Sequence, residues 1–347
     1  MRLLLLLFFC FFITSCSQQQ PLYNTQSYVF GTLVDISIYG ENEADAQAIS
    51  SEIIRKFQDL HNRLHAWRPS KLKTLNHAFS QGKTPVSVDA DIAAMITDAT
   101  TLSIKSNAAF NPSIGGLIQA WGFQHDEFKP VEIDDNKIKA LVQANPNMAD
   151  IVIKDGQVFS NNPSVQLDFG GYAKGYALDI ALIELQKLGI KNALINIGGN
   201  IIALGKHGDK PWRVGIQHPR KPSAIATLDL DSGWAIGTSG DYQRYFELNG
   251  KRYCHIINPA TGYPVQGVQA VTVLIPPQLN AGVLSDVASK PIFIARPDAR
   301  AEAAKAMQVE NFMVIESQNK IYVSPAMAKR IIWLDKDAEK HAIEIKP

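Results

Sequence analysis

The chain has 347 residues, of which 46% are apolar and 19% charged, with a formal net charge of +1. That length and composition suit an ordinary globular protein with one sizeable core or two modest ones. A charge near zero with no dense basic stretch argues against nucleic acid as a partner, because phosphate-backbone binding needs a cationic face.

Arg2 followed by an apolar run over 3–13 is too short to span a bilayer and reads as a signal peptide over 1–15. Its end, Ile13-Thr14-Ser15-Cys16, resembles the lipobox of bacterial lipoproteins, which implies cleavage before Cys16 and lipidation of that thiol. Residues 16–27, polar and glutamine-rich, are expected to be a flexible tether to a single domain over 28–347. With Cys10 in the leader and Cys16 lipidated, Cys254 stands alone, so no internal disulfide is expected. A strand cysteine between Tyr253 and His255 reads as a small core residue rather than a nucleophile.

Residues 28–39 alternate in polarity and predict a strand, and 43–64 carry apolar residues at helical spacing. Leu72 and Leu75 suggest a short helix, and 91–107 a longer one capped by Asp89 or Asp91. Trp121 and Phe123 follow a turn-rich run and read as core, 131–147 predicts a surface helix, and Asp155-Gly156 predicts a hairpin over 151–160. A strand then ends at Asp168, Gly170-Gly171 turns, and a helix is expected from near Ala173 to Leu188, with Lys174 in its first turn. Unpaired N–H groups and the dipole at such a helix start favour an anion. Neither a Rossmann fingerprint nor a Walker loop is present.

Residues 192–197 predict a buried strand leading through Gly198-Gly199-Asn200 into 201–204 as its continuation. Strands are expected over 212–216, 224–230, 234–236 and 267–275, a short helix over 280–289 with Asp286, an apolar run over 291–294, a helix over 299–307 and short closing strands. Between them lies 236–265. There Gly237-Thr238-Ser239-Gly240-Asp241 is a small-residue turn, Asn249-Gly250 pairs 242–248 with 251–257 as a hairpin, and Asn258 to Gly262 forms a second polar turn. The two turns and His255 are expected to meet as a site. Hairpin-linked strands broken by a few long helices predict an α+β fold with antiparallel-rich sheets and packed helices.

Glycine-bearing turns at strand ends, with hydroxyls and backbone amides, suit a ligand carrying phosphates and a ribose. Asp286 and backbone carbonyls could hold a hard cation such as Mg²⁺, and zinc is not expected from the placement of histidine and cysteine.

The segments Phe30-Gly31-Thr32, Phe110 to Gly115 with Trp121-Gly122-Phe123, Leu167 to Gly175, Gly198-Gly199-Asn200, Thr238 to Tyr242, and His255 to Gly262 together resemble the ApbE family, the FAD:protein FMN transferases. The resemblance runs in order over about 28–294. It implies a T-fold-like single catalytic domain, lipid-anchored on the periplasmic side of a bacterial membrane, inner or outer. It implies that FAD is cleaved with Mg²⁺ and that FMN passes to a Thr or Ser hydroxyl of a flavoprotein subunit, typically of a redox-driven ion pump, with release of AMP. Carried over, His255 is the general base, and Ala173 (by its carbonyl), Asp286 and Ser289 are the metal ligands. Thr32, Gly170, Gly171, Lys174, Asn200, Ser239, Gly240 and Asp241 are expected around the dinucleotide.

Two positions depart from the family's pattern: Lys290 stands where a metal-binding threonine is usual, and Lys71 follows Ser70 where a glutamate is common. The first allows three outcomes: ligation by Ser289 in place of the threonine, a lysine charge standing in the metal's position, or weak metal binding. The alternatives to a transferase are a flavin-storing FAD-binding lipoprotein, a FAD pyrophosphatase, and an extracytoplasmic binder of another nucleotide.

Overall fold

Alternating side chains build a nine-stranded sheet in the computed structural model, which describes residues 20–125 and 127–345; the expected leader and Cys16 lie outside the described residues. The strands are β1 (Leu22–Val29), β2 (Thr32–Tyr39), β3 (Ala193–Ile197), β4 (Asn200–Leu204), β5 (Ala235–Gly240), β6 (Val268–Ile275), β7 (Asn311–Glu316), β8 (Ile321–Val323) and β9 (Ala342–Glu344). Their order across the sheet is their order along the chain. Every pairing is antiparallel except β8 with β9. The α+β reading with antiparallel-rich sheets therefore holds.

Each face of this sheet is covered, as the alternation in β6 requires. Val271, Val273 and Ile275 point into a core shared with helices α1 (Glu43–Leu64), α2 (Ala173–Lys187) and α3 (Ala281–Ile294). Ala270 and Leu274 point the other way, onto a three-stranded sheet that contributes Trp212, Val214, Ile216, Leu228 and Leu230. A satellite cluster of Ile114, Leu117, Trp121, Phe123, Ile138, Phe246 and Ile257 seats the hairpin Tyr245–Leu248 and Lys251–Cys254. That hairpin forms about the expected turn, with Asn249 and Gly250 both at positive φ, but its strands are shorter than the expected 242–248 and 251–257, and His255 lies just past the second. Trp121 is core: it is 1% exposed, stacks on Tyr253 and donates Nε1–H to the Gly262 carbonyl. Cys254 is core too, its thiol pushed up to about 12 by burial.

Five expectations need correction. Residues 237–240, expected as a small-residue turn, are strand: they complete β5 and pair in register with Val273 to Ala270 of β6. The stretch 22–27, expected as tether, is most of β1 and pairs residue by residue with β2 through the Phe30-Gly31 turn; its polar composition suits an edge strand with one wet face. Residues 201–204 do not continue the strand before them, because Gly198 and Gly199, both at positive φ, reverse the chain into an antiparallel partner. Only an isolated bridge at Gln166 precedes Asp168 in place of a strand. Finally, α3 runs through Pro291 rather than stopping before it. One missing N–H there is outweighed by burial of Pro291, Ile292 and Phe293.

Helices α2 and α3 cross almost backbone to backbone. A Cβ on Gly282 would lie 2.5 Å from the Gly175 carbonyl, and one on Gly175 would collide with the Gly282 carbonyl. The half-buried carboxylate of Asp179 on α2 accepts from the N–H groups of Gly282 and Val283 (2.7 and 2.8 Å), capping the first turn of α3. Since neither backbone can yield alone, Gly175→Ala is expected to cost about 1–3 kcal/mol or more, read as a lower urea midpoint with unchanged slope.

Candidate active site

A cleft of about 810 Å³ opens where the sheet's strand ends meet the start of α2 and the middle of α3. That volume is in the range of pockets for cofactor-sized ligands, about 300–1,000 Å³. Tyr28, Phe30, Trp67, Phe123, Phe128 and Tyr242 supply aromatic walls, and Lys174, Arg244, Asp286 and Lys290, with His255, the polar floor.

The loop before α2 is held in place from behind. Asn76 exchanges two hydrogen bonds with the Leu167 backbone (2.7 and 2.8 Å). Asp168 accepts from Trp67 Nε1–H at 3.0 Å and from Gly170 N–H at 2.7 Å. Lys174 follows in the first turn of α2, where burial lowers its ammonium's proton affinity, Asp286 raises it, and Lys290 and Arg244 lower it again. The expected amide cradle is largely used up internally: Tyr172 and Ala173 N–H bond the Phe169 carbonyl, and Gly175 N–H bonds Asp286 Oδ2 at 3.2 Å. Attraction for an anion here comes chiefly from side-chain ammonium groups.

Asp286 and Lys290 stand four residues apart on α3 and therefore share a face. Lys290 Nζ donates to Asp286 Oδ1 at 2.7 Å and to the Asp286 carbonyl at 2.6 Å. Burial pushes the Asp286 carboxyl up, but Lys174, Lys290 and the Gly175 N–H outweigh it and hold the group down at about 2. Ser289 Oγ donates to the Asp286 carbonyl at 2.8 Å and lies 2.7 Å from Ser239 Oγ, joining α3 to β5.

His255 sits just beyond the hairpin, half-buried in the cleft floor. Its backbone N–H bonds the Arg244 carbonyl at 3.0 Å, and its Nδ1 lies 3.2 Å from the same oxygen. A carbonyl can only accept, so Nδ1 carries the proton and Nε2 of the neutral ring keeps a lone pair. Burial first, then the charges of Arg244, Lys174 and Lys290, lower this imidazole to about 3. The ring is therefore neutral at physiological pH, with a basic nitrogen beside three cations.

Of the residues expected around the dinucleotide, Thr32, Gly170, Gly171, Lys174 and Ser239 line the cleft, together with Ala173, His255 and Asp286. Asn200, Gly240, Asp241 and Ser289 do not. Asn200 is buried behind β5 against Gly237, and Gly240 packs on the Tyr242 ring. Asp241 is claimed by Arg220 in a bidentate pair at 2.7 and 2.6 Å, which fixes the turn after β5 instead of facing a ligand. The polar turn 258–262 faces Trp121 and a second cavity, so it does not join the cleft as expected. Lys71 is also remote, pairing with Asp89 at the surface while Ser70 caps the helix Lys71–Ser80.

Arg244 was not singled out from sequence. Its one signal is a cation between Gln243 and the first strand of the hairpin, on the approach to His255. His61 and His65 stand one helical turn apart, a spacing that the zinc exclusion overlooked, and their rings meet edge to face at 5.4 Å by the cleft. Among the described residues, no three His, Cys, Asp or Glu side chains are gathered into a cluster of the kind that holds zinc.

Residues 30–313 match the model of the ApbE family. A Rhodobacter capsulatus protein named FAD:protein FMN transferase is 37% identical over 304 residues, 88% of this chain and 57% of its own length. The chain thus spans little more than half of that relative. A Klebsiella pneumoniae protein of the same name is 30% identical over 310 residues, 85% of each chain. In structure, the ApbE protein of Thermotoga maritima superposes with a TM-score of 0.79 at 27% identity, covering 89% of this chain and 99% of its own. With the family pattern spanning most of its length and the fold in agreement, the chain belongs to the ApbE family.

Proposed function

We propose that this protein is a flavinyl transferase, which binds FAD in the cleft and passes FMN to a Ser or Thr hydroxyl of an acceptor protein. The observation that carries this is the floor of the cleft: a neutral His255 with a free Nε2 lone pair beside Lys174, Lys290 and Arg244. A pyrophosphate lies naturally among three cations, and a hydroxyl reaching its FMN-side phosphorus would stand beside a base. As the hydroxyl oxygen bonds to that phosphorus, the bond to the bridging oxygen breaks. His255 Nε2 takes the hydroxyl proton, and AMP leaves with the electron pair. The aromatic walls suit the planar flavin and adenine rings.

The family resemblance also implies Mg²⁺. The residues present do not fit it: Asp286 Oδ1 and the Asp286 carbonyl are both occupied by the Lys290 ammonium, and Ser289 is spent on Asp286 and Ser239. No step above passes through a metal.

Lipidation at Cys16, attachment to the periplasmic face of a membrane, and an acceptor in a redox-driven ion pump are further parts of the proposal, resting on the leader sequence and the resemblance. None of the helices among the described residues is long and apolar enough to cross a membrane.

The test is incubation of the purified protein with FAD and a Ser/Thr-bearing flavoprotein subunit, followed by denaturing electrophoresis and in-gel flavin fluorescence. Covalent fluorescence on the acceptor with AMP released is expected. FAD bound but never transferred would reduce the protein to a flavin binder, and AMP released without labelled acceptor would make it a FAD pyrophosphatase.

A further inference from the structure

We propose that Lys290 is the resident cation of this site, so that the protein engages the pyrophosphate of its ligand without a divalent metal; the inference rests on the flavin reading above. The geometry is that of an ion held in a socket. Nζ lies 2.7 Å from Asp286 Oδ1 and 2.6 Å from the Asp286 carbonyl, two oxygens presented on one side of α3. The remaining oxygen of Asp286 takes the Gly175 N–H, and Ser289 adds a second donor to the same carbonyl. Each oxygen that Asp286 and Ser289 could turn toward a metal here already has a hydrogen-bond partner.

The socket is shaped for the lysine. Its stem lies across Gly171, where a Cβ would come within 2.6 Å of Lys290 Cε. Glycine at 171 is therefore what admits the side chain between the α2 loop and α3. With the side chain 16% exposed and that of its partner Asp286 3% exposed, the pair is sheltered but its ammonium still reaches the cleft.

Charge completes the argument. Lys174, Lys290 and Arg244 against Asp286 leave two positive charges on the floor, enough to balance the two negative charges of a diphosphate diester. An ammonium has no lone pair to give a metal, and a divalent ion entering the socket would meet Lys290 and Lys174 as like charges. A lysine fixed by the chain neutralises the ligand with no ion to recruit.

The test compares the wild-type protein with Lys290→Thr, in which a hydroxyl replaces the ammonium. FAD binding is followed by quenching of flavin fluorescence in EDTA and in millimolar Mg²⁺, and ion uptake by loss of the free Mn²⁺ EPR signal. The wild type is expected to bind FAD alike in EDTA and Mg²⁺ and to leave the Mn²⁺ signal unchanged with FAD present. In Lys290→Thr, FAD affinity in EDTA is expected to fall about tenfold or more, the loss of one charge-assisted contact, and to recover with Mg²⁺ as Mn²⁺ becomes bound. Mn²⁺ uptake by wild type with FAD, or a wild-type affinity that rises about tenfold with Mg²⁺, overturns the inference alone. A wild type that binds no FAD in either condition overturns the flavin reading beneath it. The wild-type arms decide the matter even if the variant folds poorly.

Discussion

Replacing His255 by alanine is expected to lower flavinyl transfer by about 10²–10⁴-fold, the usual worth of a positioned general base. FAD affinity should change little, because the charges that hold the diphosphate belong to Lys174, Lys290 and Arg244. The pH dependence gives a second signature. In the free protein this imidazole is lowered to about 3, by burial first and then by three neighbouring cations. An ordinary histidine titrates near 6.5. Nε2 is therefore unprotonated throughout the neutral range, and kcat/KM should show no acid limb from His255 between pH 5 and 8. Stability carries the same imprint with a definite sign. Below pH 6.5 the unfolded chain binds a proton at this residue, whereas the folded one does not until about 3, so stability falls as pH drops through that window. His255→Asn should flatten this part of a plot of urea midpoint against pH. An acid limb near pH 6.5 in wild-type kcat/KM that vanishes in His255→Asn would refute the neutral-base reading.

The sequence made the longest elements and the hairpin legible, because each carries a local signal. Helix α1 has uninterrupted apolar spacing over 22 residues, and Asn249-Gly250 and Asp155-Gly156 are turns whose backbone conformation their residues favour. What remained hidden depends on distant partners. Polar β1 is a strand only because β2 lies beside it. Gly198-Gly199 reads equally as a kink or a reversal until β3 and β4 are seen paired. In the site, Thr32, Lys174, Ser239, His255 and Asp286 share a cleft because strand ends and the start of α2 converge there, consistent with their glycine-rich motifs. Asp241 could not be placed from its motif, since Arg220, 21 residues away, claims both its oxygens. Arg244 has no motif of its own, and it enters the site because its carbonyl holds His255.

Asp286→Ala is expected to cause the largest loss of stability of any substitution in the cleft. Asp286 is 2% exposed, and its carboxylate counterbalances two lysines: Lys290 through one direct hydrogen bond, and Lys174 through its nearby charge. Removing it leaves two mutually repelling ammonium groups without their shared counter-charge, with the Gly175 N–H also losing its acceptor. Breaking a buried pair in this way typically costs about 3–5 kcal/mol. For a chain of this size that is a fall in Tm of about 5–10 °C. Lys290→Met should cost less. It removes only one of the two cations, so Asp286 keeps Lys174 and the Gly175 N–H, and the methionine stem can still lie over Gly171. The order of the two variants is thus fixed by which residue is shared. Acid should narrow the difference: Asp286, held at about 2 when folded against an ordinary value near 3.9, stabilises the fold above that ordinary value and loses its contribution progressively as pH falls toward 2. Calorimetry of wild type, Asp286→Ala and Lys290→Met at pH 7 and near pH 3 checks both points. Equal losses for the two variants at pH 7 would mean that Asp286 serves Lys290 alone, and that Lys174 is not part of the same charge balance.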